Sequence, residues 1–289
     1  MNFSERRAWF FLFSFLVILP GIVFLILAPG LNPGIDFTGG SSLTVQLPES
    51  SGATQESIRS QLKSIGYPES TVQNLGNSVI DEEKQSVFFL RTKTLDEEQK
   101  DGLIDSLNSH FAPEKTDTLL SFDFVSAVVA QETVVNACWA VLAAAIGIFF
   151  YIWWAFRKVP SPFRYGLAAI VALLHDTLIV IGVFAVLGYF LDTEVNTMFL
   201  IALLTVIGYS VNDTIVVFDK IRENVLIYSN RPFQDIVNLS ISETIGRSLN
   251  TSFTLLVTLL ALLMFGGATI REFLYVLIIG VVAGTYSSI

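Results

Sequence analysis

Asn212 and Asp213 interrupt Met198 to Phe218, a stretch that is otherwise almost wholly apolar. A carboxylate near the centre of a membrane-spanning helix costs roughly 2.5–3.5 kcal/mol on insertion scales, so such groups face a protein interior, find a partner and mark a proton or ion path. At about 100° per residue, Thr205, Gly208, Tyr209, Asn212, Asp213 and Val216 share a stripe about 140° wide. The next apolar stretch carries a second polar stripe, Arg247, Asn250, Thr251, Thr254 and Thr258, about 100° wide. On consecutive antiparallel spans the two stripes are expected to face each other. Asp213 precedes Asp219 by six residues, which puts it about 9 Å below the cytoplasmic surface at about 1.5 Å per residue, and Arg247 enters from the same surface. Burial disfavours a charged carboxylate and a nearby guanidinium favours it, so movement of Arg247 toward or away from Asp213 would release or accept a proton. The bland alternative is a static ion pair that fixes helix register. His175-Asp176 form a second intramembrane ionisable set, open to two readings: proton relay, or a satisfied hydrogen-bonded pair.

Other chemistry finds no support. With only two histidines, His110 and His175, and the single Cys138, no Ser/His/Asp set and no metal-spaced cluster can be assembled. Two intramembrane carboxylates, Asp176 and Asp213, invite comparison with aspartyl proteases of the membrane, but no Gly-x-Gly-Asp sequence surrounds either. No cofactor is expected; the proton is the coupling ion. Gly39-Gly40 has the composition of a phosphate loop, yet no helix follows at once, so a turn is the better reading.

The elements that must position these residues are mostly apolar helices. The chain has 289 residues, 52% of them hydrophobic. About 20 apolar residues span a hydrocarbon layer of about 30 Å, and six stretches qualify: Ala8 to Ala28, Val134 to Ala155, Gly166 to Leu187, Met198 to Phe218, Leu249 to Phe265 and Phe273 to Ile289. The last two are short, and the final one lacks a polar tail, the pattern of a chain that stops before its natural end. The first stretch follows Arg6-Arg7 but is too long for a signal-peptide core and lacks a small-residue cleavage site. Gly280 and Gly284 form a G-x-x-x-G, a weak sign of helix contact. Lys and Arg in short loops stay cytoplasmic; Arg6, Arg7, Arg157, Lys158, Arg164, Lys220, Arg222 and Arg231 fall on one side, with only Arg271 opposite. Both termini are therefore expected in the cytoplasm.

That orientation places Leu31 to Thr133 outside. The loop holds 16 acidic and 7 basic residues, an excess equal to the whole formal net charge of −9, and so acidic a surface excludes nucleic acid as a partner. Its patterns predict strands at Ser42 to Leu47, Thr71 to Leu75, Ser86 to Arg91 and Thr118 to Val125, with helices at Thr54 to Ile65 and Asp96 to Phe111. The order βαββαβ predicts a ferredoxin-like split βαβ domain. The expected fold class is thus a polytopic α-helical membrane protein with six transmembrane helices and one extracytoplasmic α+β domain. Its expected parts are 1–30, an outer domain 31–133, and 134–289 with a cytoplasmic amphipathic segment 220–248. In that segment Phe233, Ile236, Val237, Ile241 and Ile245 recur at helical spacing, which predicts a helix lying at the membrane surface or a lid against a partner.

Four segments resemble the SecD/SecF family of the resistance-nodulation-division superfamily: Gly34-Ile35-Asp36-Phe37-Thr38-Gly39-Gly40, Val211 to Asn224, Arg247 to Ser252 and Gly284 to Ser288. The six-span layout with one outer domain is similar to that of the smaller family members over the entire chain. The resemblance implies a multi-pass protein of the bacterial inner membrane, with a periplasmic domain. It also implies partnership with SecD, the SecYEG channel, YajC and a translocating preprotein, and coupling of the proton-motive force to a late step of preprotein translocation. In that scheme Asp213 is the proton carrier and Arg247 its charged neighbour, with Asn212, Asn250, Thr251, His175 and Asp176 along the proton route. The remaining alternatives are a proton-coupled small-molecule exporter of the same superfamily and a non-conducting structural subunit.

Overall fold

The structure is a computed structural model that describes residues 3–27, 30–80, 83–113, 118–157, 159–267 and 270–288. Lys158, used above for orientation, and Ala28 and Ile289, the ends of two apolar stretches, lie outside them. The chain divides into two compact units, Pro33–Asn136 and a second made of Met1–Asn32 with Ala137–Ile289.

In the first unit a short helix α2 (Ile35–Thr38) precedes β1 (Gly40–Pro48), α3 (Gln55–Ser64), β2 (Thr71–Ile80), β3 (Glu83–Thr92), α4 (Glu97–Phe111) and β4 (Leu119–Val125). The four strands form an antiparallel sheet in the order β2-β3-β1-β4. Alternation explains the core: Leu43, Val45 and Leu47 share one face of β1, and Leu43 and Val45 pair with Leu90 and Phe88 of β3. All five are at most 1% exposed, packed with Ile58 and Leu62 of α3 and Leu103 and Leu107 of α4. Each such side chain contributes about 1.5–3 kcal/mol on burial. Both helices begin with capping boxes, Thr54 with Ser57 and Asp96 with Gln99, which satisfy backbone donors otherwise left open at a helix start. The strands of the β2-β3 hairpin run beyond their predicted ends. Residues 76–80 carry Gly and Asn, which weaken the sequence pattern, and the register shifts at Asn74/Gly76.

The Gly39-Gly40 pair is a turn. Gly39 caps α2 at φ +73°, donating its N–H to the Ile35 carbonyl, and Gly40 has φ +130°. A Cβ on Gly40 would approach the Thr92 carbonyl oxygen at 2.7 Å, and one on Gly39 the Ala127 Cα at 3.0 Å. Only glycine fits both the dihedrals and the space.

The second unit is helical: α1 (Arg7–Leu27), the later part of α5 (Ala127–Ala155), α6 (Pro162–Leu191), α7 (Thr197–Ile227), α8 (Phe233–Phe265) and α9 (Arg271–Ser287). Five helices are long and apolar enough to cross a membrane, at Ser4–Ile26, Ala127–Ala155, Pro162–Leu191, Thr197–Ile227 and Phe233–Phe265. The sixth expected span corresponds to α9, which is 17 residues long and so at the lower limit of about 17 for a spanning helix. α7 packs on α6, α8 and α9. Small residues let backbones approach: a Cβ on Gly21 of α1 would strike the backbone of Gly182 in α6, one on Gly280 would strike Val206 of α7, and one on Gly284 would press on Ser210. The G-x-x-x-G of α9 therefore lies against α7.

Phe233 to Ile245, expected as an amphipathic helix at the membrane surface or a lid against a partner, forms the first part of the continuous 33-residue α8. No proline separates it from the apolar stretch, and a lone Gly246 costs only about 1 kcal/mol in a helix. Its apolar residues Ile236 and Ile241 are buried inside the unit.

Candidate functional site

Asp176 of α6 and Asp213 of α7 are each 2% exposed, and their surroundings differ. Asp176 is surrounded by donors. Its Oδ1 lies 2.8 Å from His175 Nδ1, and its Oδ2 accepts from the hydroxyls of Ser210 on α7 and Ser287 on α9, the latter at 2.8 Å. Three helices thus meet at one carboxylate. The adjacent Tyr286 extends the connection to α1, donating to the Phe10 carbonyl at 2.8 Å and lying 3.2 Å from Ser14 Oγ. His175 Nε2 is buried without a hydrogen-bond partner.

Asp213 is three residues beyond Ser210, and its Oδ2 is buried with no hydrogen-bond partner among the described residues. One turn earlier, Tyr209 reaches across to α8, its hydroxyl 2.9 Å from Ser252 Oγ, which in turn lies 2.5 Å from Thr285 Oγ1 on α9. Thr285 also lies 2.7 Å from the Val281 carbonyl. Each hydroxyl has one proton, and the Ser248 and Val281 carbonyls, 2.9 Å from Ser252 Oγ and 2.7 Å from Thr285 Oγ1, are the acceptors at which this hydroxyl chain ends. Nearer the C-terminal end of α7, Asn224 donates to Ser240 Oγ at 3.0 Å and to Glu243 at 2.9 Å on α8. The helices are antiparallel, so Asp213, one turn beyond Tyr209, lies level with Ser248, one turn before Ser252. The Ser248 hydroxyl is likewise buried and without a partner. Two orphaned polar groups therefore occupy the same level of the α7–α8 contact, where a satisfied interior would leave none.

The two predicted polar stripes do not meet face to face. Thr205, Gly208 and Asn212 of α7, and Arg247, Asn250, Thr251, Thr254 and Thr258 of α8, are exposed on the unit's surface. The helices instead touch through Tyr209 and the small Ser248 and Ser252, because small side chains permit the closer approach. No ion pair joins Arg247 to Asp213 among the described residues. Thr251, Thr254 and Thr258 donate to carbonyls of their own helix, at 3.0, 2.9 and 3.0 Å. The structure thus groups Asp213 with Tyr209 and groups His175-Asp176 with Ser210, while Asn212, Asn250 and Thr251 remain on the open side and Arg247, also exposed there, acts on Asp213 electrostatically without a direct ion pair.

Sequence reasoning missed Ser210, Ser248, Ser252, Thr285 and Ser287. The usable signal was the i, i+4 pair Ser248 and Ser252 in the same helix as the Thr ladder; it was masked because grouping by polarity favoured the larger side chains. At the opposite end of the unit, Asn196 caps α7 and its amide donates to Glu272 at 2.7 Å, tying the α6–α7 loop to the start of α9. Among the described residues no group of three or more His, Cys, Asp or Glu could hold a metal ion.

Comparison with known proteins agrees along the whole chain. Residues 105–289 match the family described as protein export membrane protein SecD/SecF, C-terminal, and residues 24–47 match the SecD/SecF GG motif. The protein translocase subunit SecF of Thermobaculum terrenum is 45% identical over 98% of this chain and 89% of its own length. That of Anaerolinea thermophila is 38% identical over 100% of this chain and 91% of its own. A crystal structure of SecDF from Thermus, described as a translocon-associated membrane protein, aligns with a TM-score of 0.84 at 32% identity, covering 100% of this chain and 37% of that one. This chain therefore spans about a third of the fused SecDF chain and nearly all of the separate SecF subunits. With residues 24–47 matching the GG motif and residues 105–289 the C-terminal family, the chain belongs to the SecD/SecF protein export membrane proteins.

Proposed function

We propose that this chain is a SecF-like subunit that works with SecD to couple the proton-motive force to a late step of preprotein translocation through the SecYEG channel, in the bacterial inner membrane, with YajC as a further associate. The observation that carries the reading is the unpartnered Oδ2 of buried Asp213. A carboxyl oxygen that no donor occupies can take a proton without breaking a hydrogen bond, and a buried acid that changes charge changes its interaction with every neighbour. Arg247, placed on the open side, is the cation that would approach when Asp213 is charged and withdraw when it is neutral. Asn212, Asn250 and Thr251 line the same open side and supply polar contacts for the route.

In this reading all six apolar stretches cross the membrane, α9 included, with both termini in the cytoplasm. The first unit is the periplasmic domain; its element order and the sheet order β2-β3-β1-β4 support a ferredoxin-like assignment. Partnership with SecD is supported by Bacillus subtilis SecDF, which is 33% identical over 100% of this chain and 36% of its own length, the remainder leaving room for the second half. It is also supported by the exposed polar stripe itself, since ionisable groups in an apolar band need a protein neighbour. A second solved SecDF, described as in a super-membrane-facing form, aligns with a TM-score of 0.65 against 0.84 for the first, so relatives adopt more than one arrangement, as a proton-driven cycle requires.

The test is preprotein translocation into vesicles containing this chain with SecD and the channel, with and without an imposed proton gradient. Asp213→Asn is expected to abolish the gradient-dependent increment and leave the ATP-driven part intact; an unchanged increment would sink the assignment.

A further inference from the structure

Asp176 is as deeply buried as Asp213 and more heavily bonded, and a proton route does not account for its three partners. Asp176 Oδ2 accepts from Ser210 and Ser287 and Oδ1 faces His175 Nδ1, so a change of charge at Asp176 would disturb its contacts with two further helices at once. Those partners come from α6, α7 and α9, and Tyr286, next to Ser287, ties α1 to the same level. Ser210 is three residues from Asp213 on α7, about 60° away around the helix. Gly284 of α9 is packed directly against Ser210, so neither the height nor the rotation of α7 can change at this turn without breaking the cluster.

We infer that Asp176, with His175, Ser210 and Ser287, forms a fixed joint that positions Asp213, rather than a station on the proton route. The inference rests on the reading of Asp213 as the proton carrier. The joint needs an acceptor and a matching shape, not a titrating group. An asparagine at 176 would retain an oxygen for His175 Nδ1–H and offer an N–H₂ to the Ser210 and Ser287 hydroxyls, which can accept. The proton freed on Ser287 already has the Gly284 carbonyl at 3.2 Å. A carrier, by contrast, fails without its carboxyl.

The experiment compares Asp176→Asn, Asp176→Ala, the double variant Ser210→Ala with Ser287→Ala, and Asp213→Asn in the full chain with SecD. Two quantities are read: the thermal midpoint of the solubilised complex and the gradient-dependent increment of translocation. The joint predicts that Asp176→Asn retains both. Asp176→Ala and the double serine variant are expected to lower the midpoint and to reduce the increment about tenfold, the scale of losing two buried hydrogen bonds. An Asp176→Asn variant with a normal midpoint but no increment would make Asp176 a carrier and overturn the joint. So would a double serine variant indistinguishable from the parent, or an Asp176→Ala variant that loses midpoint while keeping the full increment. If Asp213→Asn keeps its increment, the carrier reading fails on its own. The midpoints still judge the joint in that case, because an Asp176→Asn midpoint as low as that of Asp176→Ala would refute it whatever Asp213 does.

Discussion

Asp176 and Asp213 are the same residue type, equally buried, on neighbouring helices of one unit, yet the chain treats them in opposite ways. Around Asp176 it places a ring nitrogen and two hydroxyls; around Asp213 it leaves one oxygen bare and a bare Ser248 hydroxyl at the same level. A buried polar group left unpaired costs about 1–3 kcal/mol. The first arrangement avoids that cost and the second accepts it. An acid oxygen left bare is free to change its state without breaking a bond, whereas one held by hydroxyls from two other helices fits a support, even with His175 Nε2 beside it unpartnered among the described residues. Burial alone would have scored the two aspartates alike.

The sharpest way to break the contrast is to remove both carboxyls by the same chemistry. Asp213→Asn is expected to eliminate the gradient-dependent increment while leaving the thermal midpoint near or above that of the parent, since it takes a costly charge out of an apolar interior. Asp176→Asn is expected to preserve the increment. Equal losses in the two variants would merge the two regions into one proton route.

The next effect concerns the packing beneath both aspartates. Gly280→Ala would push a methyl group into Val206, and overpacking of a tight helix contact costs about 1–3 kcal/mol. Val206→Ala in the same chain is expected to recover most of that loss, read as the thermal midpoint of the double variant against each single one. No recovery would mean that α7 and α9 meet elsewhere than at this pair.

Two serines one turn apart on α8 refine the comparison further. Ser252 holds Tyr209 and Thr285 together, so Ser252→Ala is expected to destabilise by about 1–2 kcal/mol. Among the described residues the Ser248 hydroxyl has no partner, so Ser248→Ala is expected to fall within about 0.5 kcal/mol of the parent while weakening the increment, because it changes a polar neighbour at the level of Asp213. The reverse ranking in a denaturation series would show that the hydroxyl chain through Ser252 contributes nothing and that Ser248 has a partner.

Much of this was legible in the sequence. Alternation in Leu43, Val45 and Leu47 and helical spacing in Ile58 and Leu62 located the sheet and its helices, because a half-buried strand or helix must carry its apolar face at a fixed period. The intramembrane aspartates stood out because their cost has to be offset. The stripes were read as facing each other because polarity was the only guide, and polarity does not say which side of a helix a neighbour will choose. The neighbours chose the smallest residues, Gly280, Gly284, Ser248 and Ser252, whose signal is an absence of bulk. The long α8 was divided at a change from amphipathic to apolar pattern, although the backbone needs a breaker to end a helix and Gly246 alone is too weak.

The smallest effect lies on the open side. Thr254 and Thr258 donate to carbonyls of their own helix, so neither leaves an unpaired proton facing lipid, and Thr254→Val with Thr258→Val is expected to change the thermal midpoint of the chain alone by no more than the equivalent of about 0.5 kcal/mol. Asn212 and Arg247 are exposed in the same apolar band, and polar and ionisable groups in that setting are found facing protein or a water-filled cavity. If SecD covers this side, the valine pair will loosen its co-purification with the chain while Asn212→Leu and Arg247→Met loosen it more. If all four substitutions leave recovery of SecD unchanged, the stripe faces something else, and the side on which Asp213 meets its proton has to be sought on another face of α7.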